Sequence, residues 1–187
     1  GGMIATNAAG TTTVRYGKTR ANVLALEAVL ADGSVVRTGT RAAKSSAGYD
    51  LTGLLVGSEG TLAVVTEATL RLHPIPEQAV ALRISFPDLE SACRTAAGIV
   101  AAASGVTRVE LLDAWFVATL NAYSGTAYPE GPCLFVEAAG SAELVEGDLE
   151  LVRTVAESEG ATEIVHEREP GARMRDRKST RLNSSHT

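Results

Sequence analysis

Two prolines, Pro74 and Pro76 in the segment HPIPE, divide this chain into stretches that follow different periodicities. Proline fixes φ, donates no backbone hydrogen bond and pushes the residue before it out of the helical region, so HPIPE must run extended. Before it, small and β-branched residues recur with many glycines and no sustained helical period. After it, apolar runs of strand length alternate with amphipathic runs of helix length. A domain boundary is therefore expected here, with one unit over residues 1–76 and another over 77–170.

The second unit reads as AVALRISF (strand), DLESACRTAAGIVAAAS (helix), RVELLD (strand), AWFVATLNAYSG (helix), PCLFVEAAG (strand), AELVEGDLELVRTVAESEG (helix) and TEIVHE (strand). Asp88 is placed to cap the first helix, Gly105 lies just past its end, and Gly125 and Gly160 close the other two. Such alternation predicts an α+β fold, an antiparallel sheet with helices on one face. Trp115 and Phe116, at a helix start, either line a cavity or pack in the core, and core packing is the preferred reading. The acid-rich helix over 143–159 reads as a solvated face.

In the first unit, residues 1–18 read as loop, strand and loop. VLALEAVLADGSVVRTG is a hairpin signal, two β-rich runs around Asp32-Gly33. The stretch GYDLTGLLVGSEGTLAVVTEATL over 48–70 sets an apolar run, a short buried helix or turn at 51–56, against a strand in which Ala68, Leu70 and Leu72 share one face. Between them Gly57 and Gly60 bracket Ser58 and Glu59. Residues that permit positive φ suit a loop wrapped around a phosphate-bearing cofactor, and they equally suit a tight strand turn. In TNAAG, the small Ala8, Ala9 and Gly10 let a flat ring or pyrophosphate lie against the backbone, with Thr6 and Asn7 hydrogen-bonding at its edge. A packed turn is the other reading. His73, alone before the proline linker, reads as structural or solvated.

Taken together, GGMIATNAAGTTTVRYG, GYDLT, GSEGTL and TEATLRLHPIPE resemble the FAD-linked oxidases of the vanillyl-alcohol oxidase and p-cresol methylhydroxylase (PCMH-type) superfamily. Within it the likeness is to the cytochrome-type D-lactate dehydrogenases and the flavin subunit of glycolate oxidase, and it runs from Gly1 to about Arg168. The resemblance implies the second half of a PCMH-type FAD-binding domain, then the start of a ferredoxin-like antiparallel-sheet cap domain. It implies FAD contacts at Thr6, Asn7, Ala8, Ala9, Gly10 and Gly17, and at Glu59, Gly60, Thr61, Leu62, Ala63, Val64 and Val65. Relatives commonly have glycine where this chain has Ala63.

Arg41 and Lys44 stand near positions where relatives hold the substrate carboxylate. Ala43 replaces the arginine that often precedes the lysine, and a solvated loop charge is the other reading of both. The implied reaction is oxidation of a D-2-hydroxy acid by hydride transfer to flavin N5, with a cytochrome, a quinone or an electron-transfer flavoprotein as electron acceptor. The upstream PGxGTS-type loop and the His-rich cap segments of relatives are not in this sequence. The reading is therefore of an internal fragment, inactive alone, with no catalytic residue and no metal site assigned.

Charge and composition narrow the classes further. The net charge of −5 conceals a reversal, because residues 171–187 hold five Lys or Arg against one Asp, which leaves 1–170 at −9. So acidic a body is a poor nucleic-acid partner. Residues 171–187 lack a core spacing and read as a non-native end, with a genuine basic tail as the alternative. No run of 18 apolar residues is present, so no integral membrane segment is expected. Cys93 and Cys133 read as reduced core thiols. The expected location is the cytoplasm, with peripheral attachment to the inner face of a membrane left open. Two other functions stay on the table: a non-catalytic binding module with half a flavin fold, and an FAD-dependent transferase of ether-lipid precursors.

Overall fold

The computed structural model describes residues 1–40, 42, 46 and 48–167. The chain divides into two compact units, one from Gly1 to Pro74 and one from Ile75 onward.

The first unit opens with three short helices, α1 (Gly2–Ala5), α2 (Thr13–Tyr16) and α3 (Thr19–Asn22). The strand expected within residues 1–18 is absent. Its amides bond locally instead, Ala5 N–H to Gly1 O, Thr6 N–H to Gly2 O and Tyr16 N–H to Thr12 O, so no donors are left in a row for a sheet to take up. The hairpin of β1 (Val23–Val29) and β2 (Val35–Gly39) forms as read, in the register Val29↔Val35 to Ala25↔Gly39. The Asp32 carboxylate closes its turn by accepting from the Ser34 N–H at 2.9 Å and the Ser34 hydroxyl at 2.6 Å. Next come α4 (Leu51–Leu55), whose N-cap Asp50 accepts from the Gly53 N–H at 2.8 Å, and β3 (Val64–Leu70).

All three strands are antiparallel, in the order β2-β1-β3. Val23, Leu26, Ala28, Leu55, Val56 and Ala63 form the core. A buried hydroxyl pair, Thr38 with Thr52 at 2.9 Å, ties β2 to α4. Leu70 and Leu72, read as sharing a face with Ala68, are 52% and 90% exposed. The β1–β3 register shifts twice, between Val23 and Ala25 and between Glu27 and Ala28. One bulge lies on β1 and the other on β3 at Thr66, ahead of Ala68, so Ala68 and Leu70 keep one face; Leu70 is exposed as the last residue of β3, and Leu72 lies past the strand.

The second unit comprises β4 (Gln78–Ser85), α5 (Leu89–Ala102), β5 (Val106–Leu112), α6 (Ala114–Ser124), β6 (Cys133–Gly140), α7 (Ala142–Ser158) and β7 (Glu163–Glu167). Its antiparallel sheet runs β5-β6-β4-β7. The helices start where short acceptors stand: Asp88, Asp113 and Ser141 accept from the N–H groups of Ser91, Phe116 and Leu144, each worth about 1 kcal/mol. One sheet face, with Leu82, Ile84, Leu134 and Val136, packs on Ala92 and Ile99 of α5 and on Val145 and Val152 of α7.

The helices do not all share that face. Strand β6 is apolar at both parities, so its other side, with Cys133 and Phe135, needs its own cover. Val117 and Leu120 of α6 supply it, packing with Leu112 of β5. Trp115, preferred as a core residue, is 75% exposed, while Phe116 packs against this second cluster. A helical step of about 100° per residue puts Trp115 on the far side of α6 from Val117 and Leu120.

Leu134→Ala, which hollows the main core at a fully buried position, is expected to cost about 2–5 kcal/mol. Leu72→Ala should stay within about 0.5 kcal/mol, both read by equilibrium denaturation.

Candidate functional site

The two glycine-marked segments of the first unit meet. The Ile4 carbonyl accepts from the Gly57 N–H and the Ala5 carbonyl from the Glu59 N–H, each at 3.0 Å. Around this junction the chain takes left-handed backbone that side chains seldom adopt. Asn7 has φ 49° and Glu59 φ 51°, the two non-glycine residues with positive φ among those described, beside Gly57 at 87° and Gly60 at 79°. Such conformations cost of order 1–3 kcal/mol each and persist where the surroundings over-determine them.

The surroundings here do so. Asn7 Oδ1 accepts from the Arg20 N–H at 3.0 Å, and the Arg20 guanidinium donates to the Val56 carbonyl at 2.8 Å. Thr19 donates both its N–H and its hydroxyl to the Ala8 carbonyl, at 3.1 and 2.9 Å. Thr61 folds the second loop back by donating its N–H and hydroxyl to the Ser58 carbonyl.

Of the residues picked from sequence, Thr6, Asn7 and Ala8 lie on the first loop beside Glu59, and Gly60, Thr61 and Leu62 complete the second loop's turn. Ala9 and Gly10 continue outward, exposed, and their amides bond to no backbone carbonyl among the described residues. Gly17 ends α2 at φ 71°, where a Cβ would stand 2.9 Å from that of Ala21. Ala63 is buried in the core without a positive φ, so its methyl strains nothing. Val64 and Val65 belong to β3, paired with Val29 and Ala28, and Val65 packs against the core. Arg41, Lys44 and the 171–187 tail lie outside the described residues. His73 is structural: its Nε2 lies 2.8 Å from Asn22 Oδ1 and its ring sits against Tyr16.

These loops suit a flat, phosphate-bearing cofactor. Small side chains, the Ala9 and Gly10 amides that bond to no backbone carbonyl among the described residues, and open space beside Gly10 and Gly60, where a Cβ would meet nothing within 4 Å, leave the backbone approachable. Among the described residues no cluster of His, Cys, Asp and Glu is placed to hold a metal, and no helix is long and apolar enough to cross a membrane.

Comparison with known proteins gives the fold its relatives. Residues 1–39 match the FAD binding domain family, and residues 75–181 match the family described as FAD linked oxidases, C-terminal domain. The chain belongs to the FAD-linked oxidases. Among these, it is 40% identical over 177 residues to the probable mitochondrial D-lactate dehydrogenase of Danio rerio, covering 93% of this chain and 36% of that protein. It is 38% identical over 166 residues to glycolate oxidase subunit GlcD of Bacillus subtilis, covering 88% and 35%. A solved alkyldihydroxyacetonephosphate synthase superposes with TM-score 0.67 at 19% identity, over 89% of this chain and 32% of that one, and shares the fold. The chain thus spans about a third of the length of these FAD-linked oxidases.

The second unit carries a polar group that sequence reasoning passed over as strand. Arg108 and Glu110 of β5 lie on the α6 side of the sheet, opposite Glu137 and Phe135. Glu137 is 7% exposed, and its Oε1 lies 3.1 Å from the buried hydroxyl of Thr107. Burial holds the half-buried Glu110 carboxyl above the ordinary carboxylate range, with Arg108 pulling the other way. The signal was there to read: charges at alternate positions in RVELLD, and one Glu inside the apolar CLFVEAAG.

Gly57→Ala combines a φ of 87° with a Cβ 3.0 Å from that of Asn7, and should destabilise the first unit by about 1–3 kcal/mol in denaturant. Glu59→Gly relieves φ at the expense of a freer unfolded chain and should change stability by under about 1 kcal/mol. For Glu110 the sign follows from its raised pKa. Its stabilising contribution is full below the unfolded carboxylate pKa and is lost as pH rises through the folded one. Glu110→Gln should therefore raise the melting temperature at neutral pH, with the gain vanishing in acid.

Proposed function

We propose that this chain is part of an FAD-dependent dehydrogenase that oxidises a D-2-hydroxy acid of the lactate or glycolate class. The observation that carries the reading is the junction of the two loops in a backbone cradle, in a chain 38–40% identical to proteins named for those substrates. In this reading residues 1–76 are the closing part of the flavin domain and 77–170 the opening part of the cap domain. FAD, when bound, supplies the hydride acceptor, and the protein contributes placement and electrostatics.

Thr6 to Gly10 and Glu59 to Leu62 hold the cofactor through small side chains and through the amides of Ala9, Gly10, Gly60 and Leu62, which bond to no backbone carbonyl among the described residues. Gly17 fixes the turn behind the first loop, and Ala63, Val64 and Val65 anchor the second loop to the sheet. The bonds from Thr19 and Arg20 keep both loops in shape before the cofactor arrives, so little ordering cost remains for binding. An electron acceptor, a cytochrome, quinone or electron-transfer flavoprotein, completes the cycle. Cys93, exposed where a core position was expected, and buried Cys133 form no disulfide, which supports a reducing compartment, and we place the protein in the cytoplasm.

The test is anaerobic reduction. Full-length protein, expressed from the reading frame that contains this sequence, should purify with FAD and bleach on addition of D-lactate or glycolate but not L-lactate. The 187-residue chain alone should not turn over. Full-length protein that purifies without flavin, or whose flavin no D-2-hydroxy acid bleaches, overturns the proposal.

A further inference from the structure

The second unit contains a buried donor atom with no acceptor. The Nε of Arg108 is buried and has no hydrogen-bond partner, while the charge of the side chain acts on the Glu110 carboxyl beside it. A buried polar donor left unmatched costs about 1–3 kcal/mol, more when charged, so a site of this kind favours whatever brings an acceptor. The neighbouring carboxylates do not fill the place. Glu137, opposite Arg108 in the register, directs Oε1 to Thr107, and Glu110 lies two residues along the same strand face. The apolar cover of this face, Leu112, Phe135, Val117 and Leu120, lies toward the Leu112 end of β5. Glu110 stands at its border, opposite Phe135, and Arg108 and Glu137 lie one step further along the strands.

We propose that Arg108 and Glu110 form a binding site for a small 2-hydroxy acid, the guanidinium donating to its carboxylate and the Glu110 carboxylate accepting from its hydroxyl. The inference rests on the substrate class proposed above and assigns residues to it. A guanidinium offers a planar fork that matches a carboxylate, and an ionised carboxylate only accepts, so it calls for a ligand hydroxyl with a proton to give. Residues i and i+2 of a strand stand about 7 Å apart on one face, near enough for two long side chains to converge on the carboxylate and hydroxyl that a 2-hydroxy acid carries on adjacent carbons. The flanking acids set the selectivity. Phosphate, with more negative charge, is repelled by Glu110 and Glu137. A 2-oxo acid, having no hydroxyl proton, turns an oxygen toward the oxygens of Glu110, so the same pair that admits the reduced acid releases the oxidised one.

The test needs no flavin. In the 15N-labelled 187-residue chain, the Nε–H resonance of Arg108, assigned by its loss in Arg108→Lys, is followed during titration with D-lactate, propionate, pyruvate and phosphate. D-Lactate should give a saturable shift, with propionate and pyruvate binding at least about tenfold more weakly, as loss of one charge-assisted hydrogen bond requires. Followed through the backbone amides of β5, Arg108→Lys and Glu110→Gln should each weaken D-lactate by about tenfold or more, with the dispersion of the remaining amides showing that both variants fold. No shift from D-lactate up to about 100 mM overturns the proposal. So does an equal response to phosphate or propionate, the behaviour of a mere surface cation. Because the readout is independent of FAD, a protein that binds D-lactate here but never carries flavin would refute the dehydrogenase reading and leave this site standing.

Discussion

Two backbone hydrogen bonds, from Gly57 N–H to Ile4 O and from Glu59 N–H to Ala5 O, join loops that lie far apart in sequence. Much of the first unit is arranged so that these bonds can form. Strand β1, with β2 on one edge and β3 on the other, sets the distance between the loops. The pair Thr38–Thr52 fixes α4, whose end delivers Gly57. The positive φ of Asn7 and Glu59 follows from the same requirement, since each loop must turn sharply at the point where it is pinned. A strained backbone held from several sides moves little, and a backbone that moves little can receive a rigid ring system without paying to order itself.

The second unit solves a different problem. Its central strand β6 is buried on both faces, so the sheet needs cover on each. Helices α5 and α7 supply it on one side, and on the other α6 covers the Leu112 end alone. Beyond that cover the face changes from leucine and phenylalanine to Arg108, Glu110 and Glu137. A sheet used only as a structural layer would gain by continuing apolar, because each buried charge must be compensated.

Local chemistry made much of this legible in advance. Asp32-Gly33 announced the hairpin, Asp88 the start of α5, Gly125 the end of α6, and each did so through bonds that depend on near neighbours. Family likeness pointed to FAD and to the lactate and glycolate relatives. What sequence did not disclose was decided at longer range. Residues 1–18 became short helices pinned by bonds from residues further along the chain, Thr19 to Ala8, Gly57 to Ile4 and Glu59 to Ala5. Leu70 ends β3 and Leu72 lies beyond it, so the spacing they share with Ala68 runs past the cover. Trp115 was misjudged because an apolar helix does not announce which side will be covered. Arg108 was legible as a charge, but its lack of an acceptor is a property of the folded face alone.

The central claim is that the joined loops of the first unit hold FAD through their backbone. Amide hydrogen exchange, compared in the full-length protein with and without FAD, tests it most directly. The account predicts that FAD slows exchange at residues 6–10 and 59–63 while the amides of β6 stay as they were. Unchanged exchange in both loops, with FAD demonstrably bound, would contradict it.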